Sequence, residues 1–277
     1  MPSPTKPDKK PENVASVLKV FSVLETLSEE GSAPLARIAQ KAMTSKATTH
    51  RLLQTMRDLG YVEQQAQSEE YRLTLKLFSL SARALEGQDR LLKATESGMA
   101  RLSQETGEAI NLGVIDETGQ DVVYIRQIES SYALSLKCTV GSRNRLYCTA
   151  LGKALLAWRN AAEVDACLQK MSFAPVGPQT LADASAFRND LAQTRAQGFA
   201  EEIEESEAGV RCMAVPVRDQ TGQSVAAVSI AFPLFRYDAT HREDYIALLT
   251  QVGREASEAL GYRGEPARTG PAIIPKV

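Results

Sequence analysis

The sequence predicts an α+β protein with two domains, an N-terminal helical one and a larger one that contains an antiparallel sheet. Its 277 residues are long for one compact domain and comfortable for two. Hydrophobic residues make up 43% of the chain and charged residues 24%, which is enough apolar material for real cores. Apolar residues recur at helical spacing near the N-terminus, whereas strand-like runs come in groups later, which is typical of an α+β architecture.

The first predicted elements are two helices. Apolar residues recur at helical spacing from residue 14 to Leu27, and Gly31 follows as a stop. Pro34 sets the first turn of a short second helix, after which the chain turns.

A third helix and a hairpin follow. Thr44 or Ser45 can cap a helix over residues 46–59, whose apolar side packs inward. Strand-like runs at residues 61–64 and 70–73 are separated by a polar turn. The order helix, helix, turn, helix, hairpin predicts an all-α/winged helix-turn-helix domain over residues 13–74.

The second domain is predicted over residues 89–262, after a linker helix at residues 75–88. Its expected elements are a helix at 91–104, strands at 109–115, 122–128 and 133–140, a helical stretch at 149–200, strands at 212–217 and 224–232, and a helix at 239–260. Residues 1–12 and 263–277 are rich in Pro or Gly and are expected to form a flexible arm and a flexible tail.

Charge is distributed unevenly along the chain. The formal net charge is −2, but residues 1–62 hold nine Lys and Arg against six acids, a net charge of +3 that leaves −5 for the rest. A basic head suits a module that approaches phosphates. No apolar run reaches the roughly 18 residues that span a bilayer, and the polar start MPSPTKPDKK lacks the apolar segment of a signal peptide. A cytoplasmic protein without membrane association is therefore expected.

Four cysteines, Cys138, Cys148, Cys167 and Cys212, are spaced too widely for a zinc site. We interpret them as free thiols in a reducing compartment. The sequence indicates no metal site and no cofactor.

The first two turns of the third predicted helix carry polar and basic side chains. They are Ser45, Lys46, Thr48, Thr49, His50 and Arg51. In a recognition helix, N-terminal residues meet base edges in the major groove, while nearby Lys and Arg neutralise phosphates. On the predicted wing, Glu63, Glu69 and Glu70 would repel phosphates, so Arg72 is the expected contact there. Double-stranded DNA is the predicted partner, and a solvated face of an ordinary helical bundle is the alternative.

The segment VGSRNRLYCTALGKALLAW runs from a strand through a basic loop into a helix that starts at about Thr149. Backbone N–H groups at a helix start form a natural anion site, and here they belong to Ala150, Leu151 and Gly152. Positive charge is added by Arg143, Arg145 and Lys153. A plain loop-to-helix junction fits the same pattern.

The predicted hairpin near the C-terminus places Cys212 and Ser229 on paired strands with small or apolar neighbours. A catalytic thiol needs a base, and the only histidines are His50, on the recognition helix, and His241, which has no recognisable partner. An enzyme that uses Cys212 on a small keto acid is therefore a remote alternative, and no catalytic residue is predicted. The acidic run at residues 201–207 is interpreted as a solvated segment.

Three segments resemble the IclR-type transcriptional regulators of bacteria, and the likeness extends over about residues 13–262. They are SKATTHRLLQTMRDLGYV, YCTALGKALLAW and GVRCMAVPVRD followed by VAAVSIAFP. The resemblance implies a GAF-like effector domain, dimers joined through the DNA-binding domains, and tetramers joined through the effector domains. Such dimers read pseudo-palindromic operators.

Within this family, SVLKVF, YRLTLKLFSLSARAL, GSRNRLYCTALGKALLAWR and EALGYR resemble repressors of pectin and hexuronate catabolism that respond to 2-keto-3-deoxygluconate. The resemblance implies a repressor of pectin, hexuronate or alginate-type catabolic genes that such a carboxylate effector releases. The alternatives are an activator, or a response to an aromatic acid, glyoxylate or pyruvate.

The resemblance also implies an effector pocket. It contains Ala150, Leu151, Glu202, Cys212 and Ser229, and Tyr147 or Thr149 is expected to reach the effector hydroxyls. Two positions depart from the family pattern, since Thr49 stands where relatives usually have an apolar residue and Ala231 replaces a serine that some relatives use on the ligand.

Overall fold

A computed structural model describes residues 14–85, 89–136 and 138–264, and the chain divides into two compact units between Gly87 and Gln88. The predicted arm at 1–12, the end of the linker helix and residues 265–277 of the predicted tail lie outside the described residues.

Within residues 14–85, the first unit combines four helices with a small antiparallel sheet. The elements are α1 (Ala15–Glu30), β1 (Ser32–Ala33), α2 (Leu35–Lys41), α3 (Lys46–Asp58), β2 (Val62–Gln64), β3 (Tyr71–Leu73) and α4 (Lys76–Leu85). The strands lie in the order β1-β3-β2, and both pairings are antiparallel. This is the predicted winged helix-turn-helix, with one addition, because the two-residue β1 is too short to show an alternating pattern.

Local sequence explains where α3 begins and how it packs. The Ser45 hydroxyl caps the helix by accepting the backbone N–H of Thr48 at 3.2 Å. Leu53 and Met56 of α3 pack with Val23 and Ile38 in the core of the unit. The opposite face of α3 is exposed.

The second unit is built on one antiparallel sheet. Its elements are α5 (Asp89–Thr106), β4 (Ala109–Ile115), β5 (Asp121–Ile128), β6 (Arg143–Arg145), α6 (Ala150–Ala157), α7 (Ala161–Leu168), α8 (Ala184–Gln197), β7 (Ala200–Ile203), β8 (Val210–Arg218), β9 (Ser224–Pro233) and α9 (Arg242–Ala259). The strand order is β6-β5-β4-β9-β8-β7. The predicted α+β class is confirmed.

Strand alternation divides the second unit into two cores. Met213 and Val228 belong to a core with residues of α5 and α9, whereas their neighbours Ala214 and Ala227 belong to a core with residues of α6, α7 and α8. Ala214 and Ala227 on the α6 side are small, so space is left between this helix and the central strands.

Three sequence predictions for the second unit are wrong. Residues 133–140 do not form a strand within the described part of the chain, because β6 occupies the free edge of β5. The stretch 149–200 is not continuously helical, since Pro175 and Pro178 lie between α7 and α8 and disfavour helix. The acidic run is not a solvated segment: residues 201–203 belong to β7, and Glu202 is buried.

Candidate functional site

The exposed face of α3 carries the polar residues at its N-terminal end. Lys46, His50 and Arg51 are exposed, and Thr48 is half-buried. The Ser45 hydroxyl also donates to the Thr48 hydroxyl at 2.9 Å, in addition to its capping bond. Two cations and an imidazole are thus free to approach a phosphate or a base edge.

Thr49 lies on the inner face of α3. Its side chain is fully buried, its hydroxyl donates to the Ser45 carbonyl at 3.0 Å, and it lies 2.5 Å from the Thr44 hydroxyl. The prediction that Thr49 contacts DNA is therefore wrong. A threonine is accepted at a position suited to an apolar residue because both of its neighbours satisfy the hydroxyl.

The wing presents one cation next to an acid. Arg72 on β3 donates through Nε to Glu63 Oε1 on β2 at 2.5 Å, and both side chains are about half-exposed. Glu70 accepts a hydrogen bond from the Ser32 hydroxyl at 2.7 Å. Glu63 therefore neutralises part of the charge that Arg72 would offer to a phosphate.

The second unit contains a cavity of about 300 Å³ between α6 and the sheet. Six of the predicted effector residues line it: Thr149, Ala150, Leu151, Glu202, Cys212 and Ser229. They come from α6, its cap and the strands β7, β8 and β9. The fold therefore brings together residues that are about 80 positions apart in the sequence.

The upper wall of this cavity is the first turn of α6. The Thr149 hydroxyl accepts the backbone N–H of Gly152 at 3.1 Å and donates to the Arg145 carbonyl at 3.1 Å. The N–H groups of Ala150 and Leu151 have no acceptor within their own helix. Gly152 is required here, because a Cβ atom at this position would lie 2.1 Å from the Leu146 carbonyl oxygen. This arrangement suits an anion.

The floor of the cavity consists of short side chains on the central strands. Ser229 on β9 pairs with Asn111 on β4, and Cys212 on β8 pairs with Ala231 on β9. All four residues line the cavity. A large side chain at any of these positions would fill it.

Glu202 supplies an acidic group at the side of the cavity. Its carboxylate accepts hydrogen bonds from the Glu205 backbone N–H and from the Ser206 hydroxyl, both at 3.0 Å. Burial nevertheless raises the pKa of Glu202 above its ordinary value. Burial, followed by the nearby Glu202 carboxylate, also raises the pKa of the Cys212 thiol. Cys212 is thus held as the neutral thiol, which is the weak nucleophile.

Sequence reasoning missed several polar residues that line the cavity. They are Asn111, Tyr124, Cys138, Thr139, Ser142, Asn144, Ser206 and Glu207. Asn144 donates to the Tyr124 hydroxyl at 3.1 Å, and the Asn111 side-chain oxygen is buried with no partner among the described residues. Asn111 carried a signal, because it is a polar residue inside the apolar strand AINLGVI.

Three residues predicted to bind the effector do not line the cavity. Arg143 binds Asp116 at 2.9 Å, and Arg145 binds Asp121 at 3.1 Å. The buried Tyr147 donates its hydroxyl to the Ala174 carbonyl at 2.8 Å. Local hydrogen-bond partners thus hold these side chains away from the cavity, and the prediction is wrong for them.

Within the described ranges, no group of three or more His, Cys, Asp or Glu side chains is placed to hold a metal ion. No helix in the same part of the chain has the length and apolar character needed to cross a bilayer.

Two family models match the chain. One describes the IclR helix-turn-helix domain and matches residues 16–66, and the other describes the bacterial transcriptional regulator IclR C-terminal region and matches residues 82–258.

Individual proteins with similar sequence or structure agree with this match. The HTH-type transcriptional regulator KdgR of Escherichia coli K12 is 44% identical over 94% of this chain and 97% of its own length. The IclR crystal structure from Thermotoga maritima is 26% identical and has a TM-score of 0.75, covering 89% of this chain and 99% of that one. An IclR homologue from Microbacterium hydrocarbonoxydans, solved in complex with 4-hydroxybenzoate, is 25% identical with a TM-score of 0.75 and the same coverage.

Proposed function

The chain belongs to the IclR family of bacterial transcriptional regulators, and we propose that it represses sugar-acid catabolic genes until an acidic effector releases it from operator DNA. The proposed effector is 2-keto-3-deoxygluconate, which carries a carboxylate, a ketone and several hydroxyl groups. The genes would belong to pectin, hexuronate or alginate-type catabolism. A regulator of operator DNA acts in the cytoplasm.

The observation that carries the effector proposal is that one cavity is lined both by the first turn of α6 and by polar side chains on the strands. The amides of Ala150 and Leu151 at the start of α6 are proposed to take the carboxylate. Glu202, Ser229 and the unpartnered oxygen of Asn111 then accept or exchange hydrogen bonds with the hydroxyls. The volume of about 300 Å³ lies at the lower end of small-molecule pockets, which suits a six-carbon acid.

An aromatic acid or a two- or three-carbon keto acid is the competing effector. The complex of the Microbacterium homologue with 4-hydroxybenzoate motivates the first of these. The polar side chains of Asn111, Glu202 and Ser229 in the lining favour the hydroxylated acid, since a buried polar group left without a partner costs about 1–3 kcal/mol.

Titration calorimetry on the full chain tests the effector. We expect heat and saturation with 2-keto-3-deoxygluconate, and weaker binding of 4-hydroxybenzoate and glyoxylate.

Footprinting of the DNA upstream of sugar-acid genes should show protection that this effector removes. Binding of an aromatic acid alone would overturn the effector proposal, and effector-enhanced protection that accompanies gene activation would overturn the proposed repression.

The proposed DNA interface consists of Lys46, Thr48, His50 and Arg51 on α3, with Ser45 capping the helix and Arg72 on the wing. Their exposure at the N-terminal end of α3 supports a recognition helix in the major groove. Arg51→Ala tests this interface on operator and non-operator DNA. If the variant binds all DNA sequences more weakly and its affinity depends less on salt, Arg51 contacts a phosphate. If it loses only the preference for one base pair of the operator, Arg51 recognises guanine. Unchanged affinity would exclude Arg51 from the interface.

A dimer through the first unit is the proposed binding form. Leu18 and Phe21 on α1 and Phe78 on α4 are apolar and more than half exposed, and surfaces of this kind mark protein interfaces. A twofold dimer matches a pseudo-palindromic operator. Tetramers through the effector domains are proposed as the larger assembly. Analytical ultracentrifugation of Phe21→Asp should show loss of the dimer, and an unchanged dimer would place the contact elsewhere.

A further inference from the structure

Lys153 on α6 is a charged residue that the proposed site does not use. Its side chain is fully buried. The ammonium donates to Glu205 Oε1 at 2.6 Å, to Asp190 Oδ2 at 2.9 Å and to the Glu201 carbonyl at 2.9 Å. All three donors of the ammonium are thereby satisfied.

Two of these acceptors belong to residues 201–207, which comprise the end of β7 and the turn that follows it and which we call the Glu202 turn. The backbone N–H of Glu205 and the hydroxyl of Ser206 each hold one carboxylate oxygen of Glu202. Lys153 therefore contacts this turn on both sides of Glu202, through the Glu201 carbonyl and the Glu205 side chain. Lys153 does not line the cavity itself, whereas Glu202, Ser206 and Glu207 of this turn do.

The turn has a strained backbone that needs external contacts. Glu204 has a φ of 56°, a left-handed conformation that is uncommon for a residue other than glycine. The Glu205 carbonyl accepts hydrogen bonds from the Gly177 backbone N–H at 3.0 Å and from the Thr180 hydroxyl at 2.7 Å. A Cβ atom on Gly177 would lie 2.4 Å from the Glu204 carbonyl oxygen. Loop 177–180 and Lys153 thus secure the turn from two sides.

We propose that Lys153 is a positioning residue that determines effector specificity by holding Glu202 at a set distance from the start of α6. The same helix then offers its amides to the carboxylate of the ligand and, through Lys153, fixes the acceptor for the ligand hydroxyls. Polyhydroxylated acids gain from this spacing, whereas a short keto acid uses only the amides. The inference rests on the proposed function, since it concerns the same cavity.

A contribution to stability alone does not explain why Lys153 is buried with Glu205 and Asp190. Burial of an ammonium with two carboxylates carries a desolvation penalty that apolar side chains of similar volume would avoid. The contacts instead fix one geometry of the Glu202 turn, and Glu202 is the carboxylate whose position in the cavity depends on that geometry through the bonds from Glu205 and Ser206.

The test combines Lys153→Met with Glu205→Gln, so that the Glu205 carboxylate is not left buried opposite an apolar group, while the partly exposed Asp190 keeps contact with solvent. Hydrogen exchange measured without any ligand should be about ten-fold faster for the amides of residues 201–207, with unchanged protection in β4 and β9. Lys93→Met, at an exposed lysine of the same unit, is the matched control. If the paired variant does not fold, Asp190→Asn replaces it, because this change weakens only the contact of Lys153 with a partly exposed partner. It should speed up the exchange of the same amides by a smaller factor.

A binding cycle tests specificity. The paired variant should lower affinity for 2-keto-3-deoxygluconate about ten-fold, and should change it less than about two-fold when Glu202 is already Gln. Equal losses in both backgrounds would overturn the inference, because Lys153 would then act independently of Glu202. Unchanged exchange at residues 201–207 would overturn it as well. If 2-keto-3-deoxygluconate fails to bind the unaltered protein, the effector proposal falls, while the exchange measurement still decides whether Lys153 positions Glu202.

Discussion

Asn111 and Ser229 pair across strands β4 and β9 at the floor of the cavity, and both are nearly inaccessible to solvent. The Asn111 side-chain oxygen is buried without a hydrogen-bond partner among the described residues. A buried acceptor in this state costs about 1–3 kcal/mol. The free protein thus carries a penalty that a ligand hydroxyl can remove on binding.

Asn111→Leu should separate stability from effector binding. Leucine has a similar size and no polar atom to desolvate, so the melting temperature should be unchanged or higher. Affinity for the effector should fall about ten-fold, because one hydroxyl then faces an apolar side chain. Calorimetry and thermal denaturation measure the two effects, with Asn189→Leu on an exposed position of α8 as the control. Retained affinity would place Asn111 outside the ligand contacts.

Thr149→Ala should weaken both α6 and its anion site. The variant loses the capping bond to Gly152 and the bond to the Arg145 carbonyl, which should cost about 1 kcal/mol of unfolding free energy. Effector affinity should fall with it, because the first turn of α6 is less well ordered. Thr149→Ser keeps the hydroxyl and serves as the matched control. If Thr149→Ala and Thr149→Ser bind the effector with equal affinity, the helix cap at Thr149 is not needed for effector binding.

Glu63→Gln should increase DNA affinity. The change removes a negative charge next to Arg72 and frees that guanidinium for a phosphate. The expected result is severalfold tighter binding to all sequences, with a steeper salt dependence, measured by fluorescence anisotropy. Glu25→Gln, on an exposed position of α1, controls for net charge. An identical gain from Glu25→Gln would show that only the overall charge matters.

The free energy of unfolding should decrease as the pH rises from 5 to 8, because of Glu205. Burial raises the pKa of this carboxyl to about 7, from an ordinary value of 4.5, although the Lys153 ammonium opposes the shift. Since the folded state has the higher pKa, its stabilising effect is complete below pH 4.5 and is lost as the pH rises through about 7. Burial also raises the pKa of Glu202, which acts in the same direction.

Thermal denaturation of the full chain across this pH range measures the effect. Glu205→Gln should flatten the decline in the melting temperature of the second unit, because glutamine does not titrate. Glu258→Gln, on an exposed position of α9, should leave the decline as it is. An equal slope in Glu205→Gln and the unaltered protein would contradict this prediction.

The sequence predicted the elements that have long, regular patterns. Helix α3, its Ser45 cap and the strands β4 and β9 follow directly from periodicity and turn residues. Residues 133–140 misled the prediction because alternation says nothing about which strand finds a free sheet edge. Thr49 misled it because a hydroxyl looks polar in sequence even when two neighbours satisfy it inside a core.

Residues that line the cavity are predictable where a helix start places backbone amides there. Ala150 and Leu151 follow from a helix start, whatever their side chains. Arg143 and Arg145 were misplaced because their carboxylate partners, Asp116 and Asp121, precede them by more than 20 residues and become neighbours only through the sheet. Distant ion pairs of this kind are set by topology, which a local pattern does not contain.

The alternation of β8 and β9 has a consequence for how such regulators diversify. Cys212, Ser229 and Ala231 line the cavity, while Met213, Val228 and Ile230 between or beside them pack against the helices on the opposite face. Substitutions at every second position can therefore reshape ligand recognition without disturbing the packing that keeps the domain folded. In β8 and β9, the positions that determine the ligand can thus change while the positions that determine the fold stay the same.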